Sequence, residues 1–173
     1  MKKTLEVLNS LVEEGVIEGY AIGGAVAAIF YTEPSETADL DVFITFPSDK
    51  LLVSLDVIYE HLRKKGFATF EHEGIVIEGI PVQFLPAAKP LLLDASREAH
   101  DESVAGVPTR IMSFEHLAAI MLDTGRPKDK LRLVQCWESP VLDREKFLVI
   151  CSNHGLQKSW ENFHARYIDS SGA

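Results

Sequence analysis

The stretch Thr37-Ala38-Asp39-Leu40-Asp41-Val42-Phe43-Ile44, preceded by Gly23-Gly24 and a short alanine-rich run, decides how this chain folds. Successive side chains of a strand point to opposite faces. Read as a strand, it sets Asp39 and Asp41 side by side on one face and Leu40, Val42, Ile44 and Phe46 on the other. Two carboxylates placed this way repel each other unless positive charge sits between them. A divalent ion carrying a nucleoside triphosphate meets that need with oxygen ligands alone.

The elements around this strand read as follows. Leu5, Leu8, Leu11 and Val12 recur at helical spacing, which predicts a helix from 2 to about 15. Val16 to Ile22 suits a strand, and Gly23-Gly24 opens a helix from Ala25 to Tyr31. Ser48 is placed to cap a helix from about Lys50 to Lys65, which Gly66 stops. Residues 67–72, 74–78 and 80–85 are short and rich in β-branched and aromatic side chains, so they read as strands, with Glu71-His72-Glu73 as a turn. A short helix over 89–99 follows, then an edge strand over 104–112 that tolerates Pro108. From Ser113 onward the pattern is helical: one helix ends at Gly125, the next begins at Pro127, Asp143 caps a third, and a fourth spans about 157–167. The expected fold is α/β (α+β), a mixed sheet flanked by helices. Its core is residues 1–112 and its helical C-terminal region is 113–173.

Composition narrows the classes. The length of 173 residues and the 46% hydrophobic content suffice for one domain with a real core. A formal charge of −9 disfavours a broad nucleic-acid surface, which needs a basic footprint. No apolar run reaches the length of a membrane span, and the N-terminus turns polar too early for a signal peptide, so the chain reads as cytoplasmic. Cys136 and Cys151 lie far apart in apolar helical contexts and read as buried free thiols. The six histidines show no zinc-ligand spacing, and Trp137 and Trp160 fall at core positions of helices.

A strand, a Gly-Gly turn, a helix and then Asp-x-Asp on the next strand form an arrangement that resembles the polymerase-beta-like nucleotidyltransferase superfamily. The matching residues are Ala21-Ile22-Gly23-Gly24 and Thr37-Ala38-Asp39-Leu40-Asp41-Val42. A second match is Ser113-Phe114-Glu115-His116-Leu117 followed by Gly125-Arg126-Pro127-Lys128-Asp129. It is similar to the C-terminal region of small bacterial nucleotidyltransferases related to abortive-infection toxins. The physical logic agrees with the likeness. Amides at Gly23 and Gly24 approach phosphate oxygens without a side chain in the way. Asp39 and Asp41 hold Mg²⁺ (or Mn²⁺) on the phosphates, and catalysis is positioning and charge neutralisation. Thr37 stands open between facing the nucleotide and bonding its own loop, and Lys128 between facing a phosphate and being an ordinary surface charge at a helix start. Asp129 stands open between an ion-pair or capping role and a catalytic one.

The chain departs from the family in two places. Enzymes of the superfamily place a third carboxylate on a later strand, where this chain has Gln83; Glu78 and Glu73 are the neighbouring acids able to stand in. Met121 stands where the toxin-type relatives often carry a lysine.

Three readings follow. The first is transfer of a nucleoside monophosphate from a nucleoside triphosphate to an acceptor hydroxyl on a small molecule, a protein or an RNA end. The second, favoured by Gln83, is a catalytically impaired nucleotide-binding module acting through a partner protein, as one half of a toxin–antitoxin-like pair. A plain structural or interaction domain is the third and blandest reading. The apolar positions of the C-terminal helices also allow a homodimer interface.

Overall fold

The computed structural model describes residues 1–29, 31, 39–46 and 54–169. Seven strands form one sheet: β1 (Gly19–Ile22), β2 (Leu40–Thr45), β3 (Phe70–Glu71), β4 (Gly74–Ile77), β5 (Ile80–Pro86), β6 (His100–Val104) and β7 (Val107–Ile111). Their order is β3-β4-β5-β2-β1-β7-β6. The β2/β5 and β1/β7 pairs are parallel and the others antiparallel, which makes the sheet mixed as expected. Eight described helices accompany it: α1 (Lys2–Glu13), α2 (Gly24–Ala28), α3 (Asp56–Lys64), α4 (Pro90–Arg97), α5 (Phe114–Thr124), α6 (Pro127–Glu138), α7 (Arg144–Asn153) and α8 (Gln157–Tyr167).

The hydrophobic pattern explains the layers. Leu40, Val42 and Ile44 of β2 are almost wholly buried, as their shared face requires. Phe43 shares a face with the acids yet is buried, because its ring packs beside Gly23 and Met112. Helix α1 ties both halves of the sheet together. Thr4 Oγ1 donates to the Ile77 carbonyl of β4, and Asn9 Nδ2 donates to the Pro108 carbonyl of β7.

The helical C-terminal region is organised around α5, which packs against α2, α4, α6, α7 and α8. Its ends match the sequence reading. Ser113 Oγ accepts from the His116 amide, and Gly125 closes the helix in the left-handed conformation at φ 60°. Pro127 opens α6, and Asp143 Oδ1 accepts from the Lys146 amide to cap α7. Trp160 is buried and its ring meets those of Trp137 and Phe147, so these aromatics pack the helical core as expected. Cys136 and Cys151 are free and buried, and burial pushes each thiol up to about 12.

Two expectations need correction. The strand ending at Ile22 starts at Gly19, not Val16. The strand read as an edge is interior: β7 lies between β1 and β6, and β6 is the edge. Residues 100–103 are exposed and mostly polar, so the edge strand carries no apolar alternation to reveal it. Pro108 is tolerated because it pairs with Ser103, one step from a two-residue Ala105-Gly106 turn, where no ladder N–H is needed. The described part of α3 begins at Asp56, and the expected Ser48 cap and Lys50 start lie outside the described residues. No described helix is long and apolar enough to cross a membrane.

Candidate active site

The end of β1 meets the start of β2 through one backbone contact: the Gly23 amide donates to the Asp41 carbonyl at 3.0 Å. The chain then turns into α2 with Gly24 at φ 58°, a conformation that L side chains rarely adopt. A Cβ built on Gly24 would fall 1.8 Å from Asp41 Oδ2. Gly24 therefore leaves open the space that the Asp41 carboxylate occupies.

Asp39 and Asp41 both face a cleft of about 550 Å³, a size typical of small-molecule sites. Burial, and next the charge of Asp39, push the Asp41 carboxyl above its ordinary range, while Lys128, Arg126 and Arg132 pull it back. Lys128 and Arg132 come from α6 and Arg126 is its N-cap residue, and together they wall the other side of the cleft. Positions 128 and 132 lie one helical turn apart, so the same helix face presents both.

Gln83 also reaches the cleft. It pairs in register with Asp41 across the parallel β5/β2 ladder. Its Nε2 donates to Oε2 of Glu73 at 2.6 Å, and Glu73 belongs to the β3–β4 turn. Glu78, the other acid weighed for this position, pairs with Lys3 at 3.6 Å and does not line the cleft.

Asp129 lines the cleft too, yet its carboxylate is 3% exposed and already engaged. It accepts from Thr124 Oγ1 at 2.8 Å and from Arg126 Nε at 2.6 Å. Burial pushes its pKa up, but these hydrogen bonds outweigh it and leave the carboxyl below its ordinary range. Of the two roles left open in the sequence, the geometry is that of an ion pair. Lys89 and Asp123 form a further pair at 3.1 Å on the α4–α5 side. Thr37 lies outside the described residues.

Sequence reasoning passed over Arg132 and the Lys89–Asp123 pair. Arg132 was legible as the residue four places after Lys128 on a predicted helix. The ion pair was not, because 34 residues separate its partners.

The donor set is hard oxygen, and Gly24 makes room for the Asp41 carboxylate itself. Both fit Mg²⁺, which takes one or two carboxylates and completes its shell with phosphate and water. Among the described residues, no three His, Cys, Asp or Glu side chains gather closely enough to cage an ion without such help. A second cavity of about 570 Å³ opens at the other end of β2, lined by Thr45, Ser96, Arg97 and Arg110, but Glu18 is its only described acid. It lacks the paired carboxylates that divalent-ion chemistry needs.

The mixed sheet with its flanking helices is a nucleotidyltransferase-type fold. The chain is similar in structure to an antigenic nucleotidyltransferase-like protein from Paracoccidioides brasiliensis, with TM-score 0.58 and 16% identity over 99% of this chain and 91% of that one. A weaker likeness, with TM-score 0.46 and 17% identity over 96% of this chain and 99% of the other, is to ANT(2″)-Ia in complex with adenylyl-2″-tobramycin. No family model and no curated protein matches the sequence.

Proposed function

We propose that the protein is a metal-dependent nucleotidyltransferase that moves a nucleoside monophosphate from a nucleoside triphosphate to an acceptor hydroxyl. One observation carries the reading: the Asp39–Asp41 pair faces Lys128 and Arg132 of α6 across a single cleft, with the Arg126–Asp129 pair at the start of that helix. A pair of acids opposite a basic helix face suits a ligand that is itself a metal-bound polyanion. Neither wall alone would hold it as well.

In this reading Asp39 and Asp41 hold Mg²⁺ (or Mn²⁺), which when bound neutralises the phosphates and the departing pyrophosphate. Gly23 and Gly24 let backbone come close to the triphosphate, and Lys128 contacts a phosphate as a point charge. Thr37 is assigned to the nucleotide on the resemblance alone. The kinship with abortive-infection toxin nucleotidyltransferases, a partner protein or second copy, and a cytoplasmic place of work belong to the same proposal. The acceptor hydroxyl is on a small molecule or a protein more readily than on an RNA end, given the charge of −9.

Titration calorimetry tests it, with each of the four nucleoside triphosphates, with and without Mg²⁺. The expected result is binding that needs Mg²⁺ and disappears in the Asp39→Asn/Asp41→Asn double variant. No binding to the unaltered protein overturns the proposal.

A further inference from the structure

Among the described residues five carboxylates line the cleft: Asp39, Asp41, Glu73, Asp123 and Asp129. Asp123 is paired with Lys89, and Asp129 is sealed between Arg126 and Thr124. Asp39 and Asp41 are the metal pair of the reading above. Glu73 remains. It is exposed, and its hydrogen-bond partner is the neutral amide of Gln83, so it is held in place without losing its charge to a cation. Gln83 in turn is fixed by the ladder beside Asp41. Glu73 thus hangs over the neighbour of the metal pair but stands outside it, since no three acids gather as a cage among the described residues.

Transfer to a hydroxyl needs a group to take its proton. We propose that Glu73 is that base and that Gln83 is the positioning residue that holds it. The inference rests on the nucleotidyltransferase reading. In the step, the acceptor oxygen bonds to the α-phosphorus and its proton passes to a Glu73 carboxylate oxygen. The bond from the α-phosphorus to the bridging oxygen breaks, and pyrophosphate leaves with that electron pair. Exposure of Glu73 lets it return the proton to water. The carboxylate that the sheet position at Gln83 lacks is thereby supplied from the β3–β4 turn.

Water fits wherever an acceptor hydroxyl does, so the test needs no identified acceptor. Pyrophosphate release is measured with Mn²⁺ and each of the four nucleoside triphosphates, water being the acceptor. Binding of the same Mn²⁺–nucleotide complexes is measured by calorimetry. Glu73→Gln is expected to slow release by about 100-fold or more with nucleotide affinity unchanged to within about twofold. Gln83→Leu is expected to lower kcat by about tenfold, leave KM in place and keep the full calorimetric binding stoichiometry, which a loss of folded protein would reduce. Release by Glu73→Gln at the unaltered rate overturns the assignment and leaves the nucleotidyltransferase reading standing. Binding without release in the unaltered protein also overturns it and turns the reading into one of a nucleotide-binding module. Absence of binding sinks both.

Discussion

Gly24 and Asp41 share one volume: a Cβ on the glycine would lie 1.8 Å from Oδ2 of the aspartate. Neither residue tolerates the other's enlargement, so the glycine is part of the acid's site as well as of the turn. Gly24→Ala also puts alanine at φ 58°, which costs roughly 1–2 kcal/mol. We expect this variant to lose Mg²⁺-dependent nucleotide binding. Gly23→Ala is different, because the nearest atoms its Cβ meets are those of the Phe43 ring at 2.5 Å and Met112 Sδ at 3.2 Å, and not a carboxylate. Its expected defect is overpacking, about 1–3 kcal/mol of stability. Melting curves and calorimetry on the two variants separate these effects.

Asp41 ionises at a cost. Burial, and next Asp39, raise its folded-state pKa above its ordinary value. The folded protein therefore holds this proton more tightly than the unfolded chain does. The resulting penalty is absent below the ordinary carboxylate range and fully present once pH has risen through the raised value. Asp41→Asn is expected to raise the melting temperature of the metal-free protein at pH 7 and to lose that advantage in acid. Added Mg²⁺ and nucleotide should stabilise the unaltered protein and not the variant. Thermal melts across pH with and without chelator check both.

Asp129 has the opposite sign. Its hydrogen bonds from Arg126 and Thr124 overcome burial and depress its folded-state pKa. The stability it contributes is present above the ordinary carboxylate value and fades as pH falls through the depressed one. Asp129→Ala leaves Thr124 and Arg126 without their acceptor, a loss of about 2 kcal/mol. The melting temperature should fall by roughly 4–8 °C at pH 7, and by much less in strong acid.

Lys128 faces the metal pair from α6, and it is exposed. Lys128→Ala is expected to leave stability unchanged and to weaken nucleotide binding by about tenfold. The loss should shrink as salt rises, because an exposed charge is screened. Calorimetry at low and high ionic strength is the check.

The sequence showed some of this plainly and some of it not at all. Strand β2 was legible because Leu40, Val42 and Ile44 alternate with the two acids, Phe43 alone breaking the pattern, and Gly23-Gly24 because glycine pairs mark close backbone approach. The caps Ser113, Gly125, Pro127 and Asp143 announced the helical region, since capping chemistry is local. Strand β6 was hidden: an edge strand with polar side chains on both faces has no apolar period. Gln83 lies in register with Asp41, while in the sequence Glu73 could only be weighed alongside Glu78. What separates them is which side of the sheet's edge each turn reaches, Lys3 for one and Gln83 for the other. Asp129 looked equally suited to catalysis or pairing in the sequence, and its contacts with Arg126 and Thr124, made through the fold of the α5–α6 junction, show it paired.

The most direct measurement is a crystal structure grown with Mn²⁺ and a non-hydrolysable nucleoside triphosphate analogue, with the ion located by its anomalous scattering. The account predicts a Mn²⁺ peak bonded to both Asp39 and Asp41, with the triphosphate between Gly23-Gly24 and Lys128. A nucleotide seated elsewhere, or an acid pair without an ion, would contradict it.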